Sequence, residues 1–223
     1  MSDLGTPVLL STRSRNMEKR RSQILTHARA IIAEDGFDAL KLRDIADRAE
    51  VTVPTIYNLI GGKDEVLTLI IEDLVERLQA VQTRPQTGDV EAAFEGQIDK
   101  LANLLSSDEK YYRAAFIAGD RSGLFEQSSP SGIFARSLRL PIEACQDAQE
   151  AGLLQGKITA EQMGRQIYGC YRLARQDWMN GYFDLEGFRR QSLEGIFICL
   201  AADAKPAFKR RLQARLKDLS TSS

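Results

Sequence analysis

The chain has 223 residues, enough for one large domain or two small ones around a sizeable hydrophobic core. Its 43% hydrophobic and 27% charged residues are typical of a soluble globular protein and exclude a disordered or fibrous chain. No apolar run approaches the ~20 residues that cross a bilayer, so we expect a cytoplasmic protein with no membrane partner. Cys145, Cys170 and Cys199 lack any C-x-x-C spacing, which favours reduced thiols over a disulfide framework or zinc site.

Charge is unevenly distributed, although the formal net charge is only -1. Residues 13–21 carry five basic side chains against one acid, and residues 205–218 are basic again. Residues 63–109 carry eleven acids against four bases. Such clusters are usually solvated surface, but this pattern fits a polyanion at one end of the molecule. The acidic band around 89–109 disfavours an anionic ligand in that region.

Apolar residues recur at helical spacing almost throughout, and strict alternation between hairpin turns is missing. We therefore predict an all-α fold. Gly36 stands where a left-handed helix end is expected, and Pro141 is expected to bend the helix that contains it. The predicted helices span residues 17–35, 42–49, 54–60, 63–81, 90–105, 108–118, 131–151, 160–180, 185–203 and 206–219.

The second and third predicted helices are separated by only four residues, Glu50-Val51-Thr52-Val53. Thr52 is a good N-cap, and Pro54 is tolerated in a first helical turn. Two short helices joined by a tight turn, preceded by a basic arm, have the geometry of a helix-turn-helix, whose second helix enters the DNA major groove. The alternative is a helical hairpin packed on a neighbouring helix.

Three segments carry a family resemblance: residues 36–46 (GFDALKLRDIA), 51–57 (VTVPTIY) and 63–67 (KDEVL). Together they resemble the TetR family of bacterial transcriptional regulators, over about residues 20–70. Beyond that stretch the resemblance is only to a general architecture, an all-helical ligand-binding domain whose last two long helices pair with those of a second subunit. The family implies a homodimeric regulator, usually a repressor, that releases a pseudo-palindromic operator when a small molecule binds.

The resemblance implies three regions. Residues 1–16 are expected to form a flexible basic leader, residues 17–62 the helix-turn-helix DNA-binding domain, and residues 63–223 the helical ligand-binding and dimerisation domain. A helix over 63–81 would span nearly ~30 Å, long enough to connect the two domains.

Arg43 falls at a position of the family that can read a guanine edge, through a bidentate pair worth ~1–3 kcal/mol of discrimination. Tyr57 and Lys63 match phosphate contacts, and Lys41 replaces a hydroxyl residue that often makes one. Glu50 stands where the family favours glycine, and Leu59-Ile60 replace a commoner His-Phe pair. The residues expected at double-stranded DNA are Lys41, Arg43, Thr52, Val53, Pro54, Thr55, Tyr57, Asn58 and Lys63.

The second region has enough apolar and aromatic surface to line a cavity for a small apolar or aromatic effector, or equally to form a solid core. The candidate cavity residues are Phe94, Ile98, Leu101, Tyr112, Phe116, Phe134, Leu138, Tyr171 and Trp178. The last two long helices are expected to form a four-helix bundle with a second copy, unless they pack within one subunit. The candidate interface residues are Ile167, Ala174, Phe188, Leu193, Ile196, Phe197 and Leu200.

An enzyme is the main rival class, and the sequence disfavours it. His27 is the only histidine, and no nucleophile or acid is tied to it by spacing. No phosphate-binding, dinucleotide-binding or zinc-protease motif occurs, so we expect no cofactor and no metal. The remaining alternatives are an all-helical ligand-binding or adaptor protein without DNA binding, and an activator that uses the same DNA-binding domain.

Overall fold

The computed structural model describes residues 12–81, 89–123 and 133–221, and within them it confirms the all-α prediction. Apart from a single bridge between Leu154 and Ala204, these ranges contain no β structure. None of their helices is long and apolar enough to cross a bilayer. The helices are α1 (Thr12–Asp35), α2 (Leu42–Arg48), α3 (Val53–Leu59), α4 (Lys63–Val81), α5 (Val90–Ser106), α6 (Glu109–Arg121), α7 (Ile133–Glu150), α8 (Ala160–Met179), α9 (Leu185–Ala201) and α10 (Pro206–Thr221).

The main difference from the predicted helices is at the start of α1. This helix begins at Thr12, so residues 12–16 of the predicted flexible leader are helical, and residues 1–11 lie outside the described part. Elsewhere the ends agree closely, because local capping determines them. Gly36 has a φ of 79° after α1, and the side chain of Asp108 accepts a hydrogen bond from the Tyr111 N–H at the start of α6. Pro141 lies inside α7.

The first three helices pack around a small apolar core. Ile24, Ala28 and Ile32 project from one face of α1, and Ile45 of α2 and Ile56 of α3 meet the same core; all five are fully buried. Burying such side chains is worth ~1.5–3 kcal/mol each, which fixes the position of two helices of only seven residues. These two helices are therefore held by tertiary packing rather than by helix propensity.

Helix α4 connects this unit to the rest of the chain. The Arg29 guanidinium of α1 lies 2.8 Å from the Asp73 carboxylate of α4, which also pairs with Arg77 at 2.7 Å. Helix α6 packs against both α1 and α4. The first three helices are thus docked directly on the larger helical unit.

In that larger unit, α8 packs between α7 and α9, and two glycines permit the close approach. A Cβ atom on Gly164 would lie 2.8 Å from the backbone of Ile142 in α7. A Cβ atom on Gly195 would lie 2.5 Å from Cβ of Cys170, so α8 and α9 also meet closely. Cys170 Sγ is 3.9 Å from Cys199 Sγ, and both are free thiols, as is the buried Cys145.

The acidic residues of α5 face arginines of α9 and α10. Helix α10 lies along α9, buries Phe208 and Leu212, and turns part of its basic surface toward α5. The pairs are Glu91 with Arg211 at 2.8 Å, Glu95 with Arg215 at 3.5 Å, and Asp99 with Arg189 at 2.6 Å. Three acids of this band are therefore paired with arginines within the chain.

Candidate functional site

The turn between α2 and α3 is a tight helix end that contains a strained residue. The Val51 N–H donates to the Ala46 carbonyl at 3.0 Å and the Glu50 N–H to the Asp47 carbonyl at 3.4 Å, which is the Schellman pattern. Glu50 has a φ of 53°, in the left-handed region that favours glycine. Among the described residues, it is the one non-glycine residue with positive φ. The short turn predicted from the sequence is thus formed with an unfavourable residue at its sharpest point.

We expect Glu50→Gly to raise the free energy of unfolding by ~0.5–1 kcal/mol, because the left-handed conformation costs a non-glycine residue ~1–2 kcal/mol and glycine loses part of that gain as backbone entropy. Urea unfolding at one protein concentration measures the change. Glu50→Ala is the matched control, since it removes the charge but keeps Cβ. Equal stabilisation by both variants would show that the charge, not the backbone, is the source.

The start of α3 presents short polar side chains. The Thr52 side chain accepts a hydrogen bond from the Thr55 N–H at 3.4 Å, which confirms Thr52 as the N-cap, and the two hydroxyl oxygens are 2.9 Å apart. Ile56 holds the helix on the core, while Asn58 is exposed and Tyr57 is 58% exposed. The predicted contact residues Val53, Pro54 and Thr55 lie in the first turn; Pro54 is exposed, and the other two are half-buried.

Helix α2 packs beside α3 and carries exposed cations. Arg43 and Lys41 are both exposed, and no ion pair to Arg43 occurs within the described ranges. Arg48, on the same helix, instead donates to Glu34 of α1 at 2.8 Å. That hydrogen bond holds the pKa of the Glu34 carboxyl below its ordinary value. Arg48 is therefore paired within the chain, and Arg43 is available to an external partner.

Lys63 lies at the first residue of α4 but points back toward the loop after α1. Its Nζ donates to the Asp38 carbonyl at 3.2 Å and lies 4.6 Å from the centre of the Phe37 ring. This exposed interaction is weak enough to be exchanged for a phosphate oxygen. The basic residues Arg15, Lys19 and Arg20 are exposed on the first turns of α1 and form part of the basic arm.

A cavity of about 110 Å³ lies between α4, α5, α7, α8 and α9. Of the nine candidate cavity residues, the structure places Phe94, Ile98, Leu101 and Tyr171 on its wall. The side chain of Phe134 lies outside the described part of the chain. The other four, Tyr112, Phe116, Leu138 and Trp178, are buried elsewhere in the core.

An aromatic cluster accounts for the core position of Trp178. Its ring meets those of Phe116 and Phe188 at centroid distances of 6.3 Å, and its indole N–H donates to Glu109 at 3.2 Å. These contacts bury the apolar ring and give the indole N–H an acceptor, so Trp178 is a core residue and not part of the cavity wall.

Sequence reasoning missed the polar residues of the cavity. Arg175, Gln97, Ser137 and Tyr168 contribute to its wall, and Arg175 is only 5% exposed. A charged residue within the apolar stripe of α8, one helical turn after Tyr171, was the available signal. Burial raises the pKa of the Tyr171 hydroxyl, so it stays protonated.

The seven candidate interface residues lie inside the single chain. Each is at most 3% exposed, because α8 and α9 bury their apolar stripes against each other and against α5 and α7. This corrects the expectation that those stripes meet a second subunit. The large apolar residues that these two helices leave exposed are Leu173, at 54%, and Ile198, at 60%. The residues that are buried within the chain and not available to a second subunit are Ile167, Ala174, Phe188, Leu193, Ile196, Phe197 and Leu200.

Comparison with sequence families matches residues 24–70 to the family described as "Bacterial regulatory proteins, tetR family". The HTH-type transcriptional activator FasR of Mycolicibacterium smegmatis is 26% identical over 136 residues, which cover 59% of this chain and 57% of FasR. The HTH-type transcriptional repressor KstR of the same organism is 32% identical over 71 residues, covering 32% of this chain and 35% of KstR. The matches thus span from about a third to little more than half of these relatives, which are regulators and not enzymes.

Solved structures share the fold over most of the chain. SmeT, the repressor of the Stenotrophomonas maltophilia multidrug efflux pump SmeDEF, has a TM-score of 0.64 at 22% identity, covering 84% of this chain and 92% of SmeT. A TetR transcription regulator from Haloarcula marismortui has a TM-score of 0.66 at 17% identity, covering 84% of this chain and all (100%) of the other. For residues 63–223, where the sequence resembles the family only in general architecture, these structures therefore show a similarity of overall fold.

Proposed function

We propose that the chain is a DNA-binding transcriptional regulator of the TetR family that responds to a small ligand, because residues 24–70 match that family. The observation that carries the proposal is the helix pair itself: α3 begins at the Thr52 cap with Thr52 and Pro54 exposed, and the preceding helix α2 carries the exposed Arg43. In a helix-turn-helix, the first residues of the second helix contact base edges in the major groove. Residues 17–62 then form the DNA-binding domain, to which the helical turns from residue 12 belong, and residues 63–223 form the regulatory domain.

The protein acts as a homodimer on a pseudo-palindromic operator. A dimer sets two copies of α3 about one helical turn of DNA apart, ~34 Å. We assign the contact between subunits to the outward surface of α8 and α9 at Leu173 and Ile198, because these are the large apolar side chains that the two helices leave exposed.

Ligand binding in the cavity opposes DNA binding through α4 and α6. Helix α4 contributes Val75 and Leu78 to the cavity wall and is tied to α1 by Asp73. Helix α6 packs on α1 and α4. A ligand that prefers a shifted position of these helices changes the separation of the two α3 helices, with a reciprocal coupling typically of ~1–3 kcal/mol. A solved complex of the related SmeT with triclosan supports a small-molecule ligand in this fold.

Repression is the proposed direction of control. The relatives include both an activator, FasR, and a repressor, KstR. A reporter gene placed behind the bound DNA distinguishes the two modes. Deletion of the regulator raises expression if it represses and lowers expression if it activates.

Titration with duplex DNA tests the proposal directly. The duplex spans the DNA that flanks the protein's own gene, and a scrambled duplex of equal length and composition is the control. We expect affinity for the native duplex to exceed that for the control by ~10³-fold or more, and to fall with salt at a slope of ~0.9 per phosphate contacted. Equal, salt-insensitive binding to both duplexes would contradict the proposed DNA-binding function and favour a helical ligand-binding or adaptor protein.

A further inference from the structure

The cavity has a largely apolar wall with a single charged side chain. Phe94, Ile98 and Leu101 come from α5, and Leu140 and Pro141 from α7. Arg175 is the only charged residue among the described residues that line the cavity, and no carboxylate is among them. Because a guanidinium remains protonated in proteins, the wall carries a fixed positive charge in surroundings of low polarity.

The position of the Arg175 guanidinium is fixed by its surroundings. It lies over the Phe116 ring, 4.7 Å from its centre, and its Nη2 is 3.3 Å from the Asp120 carboxylate of α6. The Arg175 side chain is only 6% exposed, whereas that of Asp120 is 35% exposed. The buried cation is thus paired with a carboxylate that is still partly in water, at a distance longer than the ~2.7–2.9 Å of a strong charge-assisted hydrogen bond.

Further hydrogen-bond donors line the same cavity. Gln97 Nε2 is buried and has no hydrogen-bond partner. The protonated Tyr171 hydroxyl is a second donor, and Ser137 and Tyr168 add hydroxyl groups. The carboxylates of α5 pair with arginines of α9 and α10 and are not part of the wall. The polar groups of this wall therefore suit a ligand rich in hydrogen-bond acceptors.

We propose that the effector is a small apolar molecule bearing a carboxylate, which binds with its apolar body against Phe94 and Leu140 and its carboxylate on Arg175. This inference rests on the proposed ligand-responsive function and names the chemical class of its ligand. A planar carboxylate matches the guanidinium fork. A dry cavity of ~150 Å³ accepts benzene, so a cavity of about 110 Å³ limits the apolar body to a short alkyl chain or at most one ring.

The same arrangement gives the ligand a route to the DNA-binding domain. A bound carboxylate competes with Asp120 for Arg175, and Asp120 belongs to α6, which packs on α1. The neighbouring Arg121 also pairs with Asp38 in the loop after α1, at 2.9 Å. Both members of that pair are highly exposed and contribute little, so the packing of α6 on α1 carries most of the coupling.

The test measures binding of two carboxylates, phenylacetate and hexanoate, and of their neutral amides, phenylacetamide and hexanamide. Each pair has the same shape and differs in charge. Fluorescence of Trp178 reports binding, since it is the only tryptophan and its ring meets Phe116, on which Arg175 stacks. We expect each carboxylate to bind more tightly than its amide by ~10-fold or more. Equal affinity within each pair, or no binding of any probe up to ~10 mM, would overturn the inference.

Two variants assign the preference to the cavity. In Arg175→Met the affinity ratio of carboxylate to amide is expected to fall to about one, because the apolar wall remains and the cation is gone. In Asp120→Asn the competing carboxylate is removed, and both carboxylates are expected to bind more tightly while the amides are unchanged. A ratio unaffected by either variant would contradict the role of Arg175. If Arg175→Met does not fold, the inference is still tested by the ratio of carboxylate to amide affinity in the wild type and in Asp120→Asn.

Failure of this inference can be told apart from failure of the proposed function. DNA binding is measured on the same protein without probes. If the protein binds its duplex but shows no carboxylate preference, the ligand class is wrong and the regulator remains. If it binds no DNA but prefers carboxylates, the cavity assignment stands and the regulatory role is wrong.

Discussion

Replacing Ile198 by aspartate is expected to convert the homodimer into a monomer and to weaken binding to a two-half-site operator by ~100-fold or more, because each subunit then loses the avidity of a linked partner. Ile198 is 60% exposed in the single chain, so the substitution should leave the fold intact. In a dimer built on this face, two aspartates would be buried at the contact without partners, which is strongly unfavourable. Sedimentation measures the association state, and gel shift measures operator affinity.

Ile198→Val is the matched control, since it keeps an apolar side chain of nearly the same shape. It should remain dimeric and bind DNA as the wild type does. Leu173→Asp, on the neighbouring helix α8, should reproduce the effect of Ile198→Asp. A dimeric Ile198→Asp with unchanged operator affinity would show that the subunits meet elsewhere.

Replacing Arg43 by alanine is expected to cost ~1–3 kcal/mol at the preferred operator and to relax the base preference at one position of each half-site. Arg43 is exposed in the first turn of α2, the helix that packs beside α3, and the family resemblance places it where it can read a guanine edge. Lys63→Ala should instead weaken all sequences alike and reduce the salt slope by ~1 per half-site, because an ammonium on a phosphate carries no sequence information. Affinities for an operator and its single-base variants, measured at several salt concentrations, separate the two effects.

Arg43→Lys is the control for charge. Lysine keeps the cation but lacks the planar fork that makes a bidentate pair with guanine. Affinity should therefore be partly kept while base preference is lost. Equal losses of base preference and of salt dependence in Arg43→Ala and Lys63→Ala would contradict the assigned roles.

Local features of the sequence predicted most of the helices. Thr52 caps α3 as a side-chain acceptor, and Gly36 adopts the left-handed conformation expected after α1. These are interactions between residues three or four apart, so the residue types contain the information. The family favours glycine at the position of Glu50 because the backbone there is left-handed, with a φ of 53° in this chain.

What covers an apolar helix face could not be predicted in the same way. The apolar stripes of α8 and α9, which include Ile167 and Phe197, were assigned to a second subunit, but both residues are buried within the chain. Periodicity indicates that a face is covered and does not indicate by which helix. The pairing of Glu91 with Arg211 is likewise hidden in the sequence, since 120 positions separate the two residues. The charge of Arg175 was visible, but its place in the cavity depends on how five helices meet.

The proposed function requires two copies of the segment from Arg43 to Asn58 to bind one duplex. Footprinting the purified protein on the DNA that flanks its own gene is the decisive experiment. We expect a protected stretch with two inverted half-sites whose centres lie one helical turn apart, ~34 Å. We also expect Ile198→Asp to lose this protection at concentrations where Ile198→Val retains it. Uniform, unprotected cleavage across that DNA at low salt, with a protein that is folded, would contradict the proposed function.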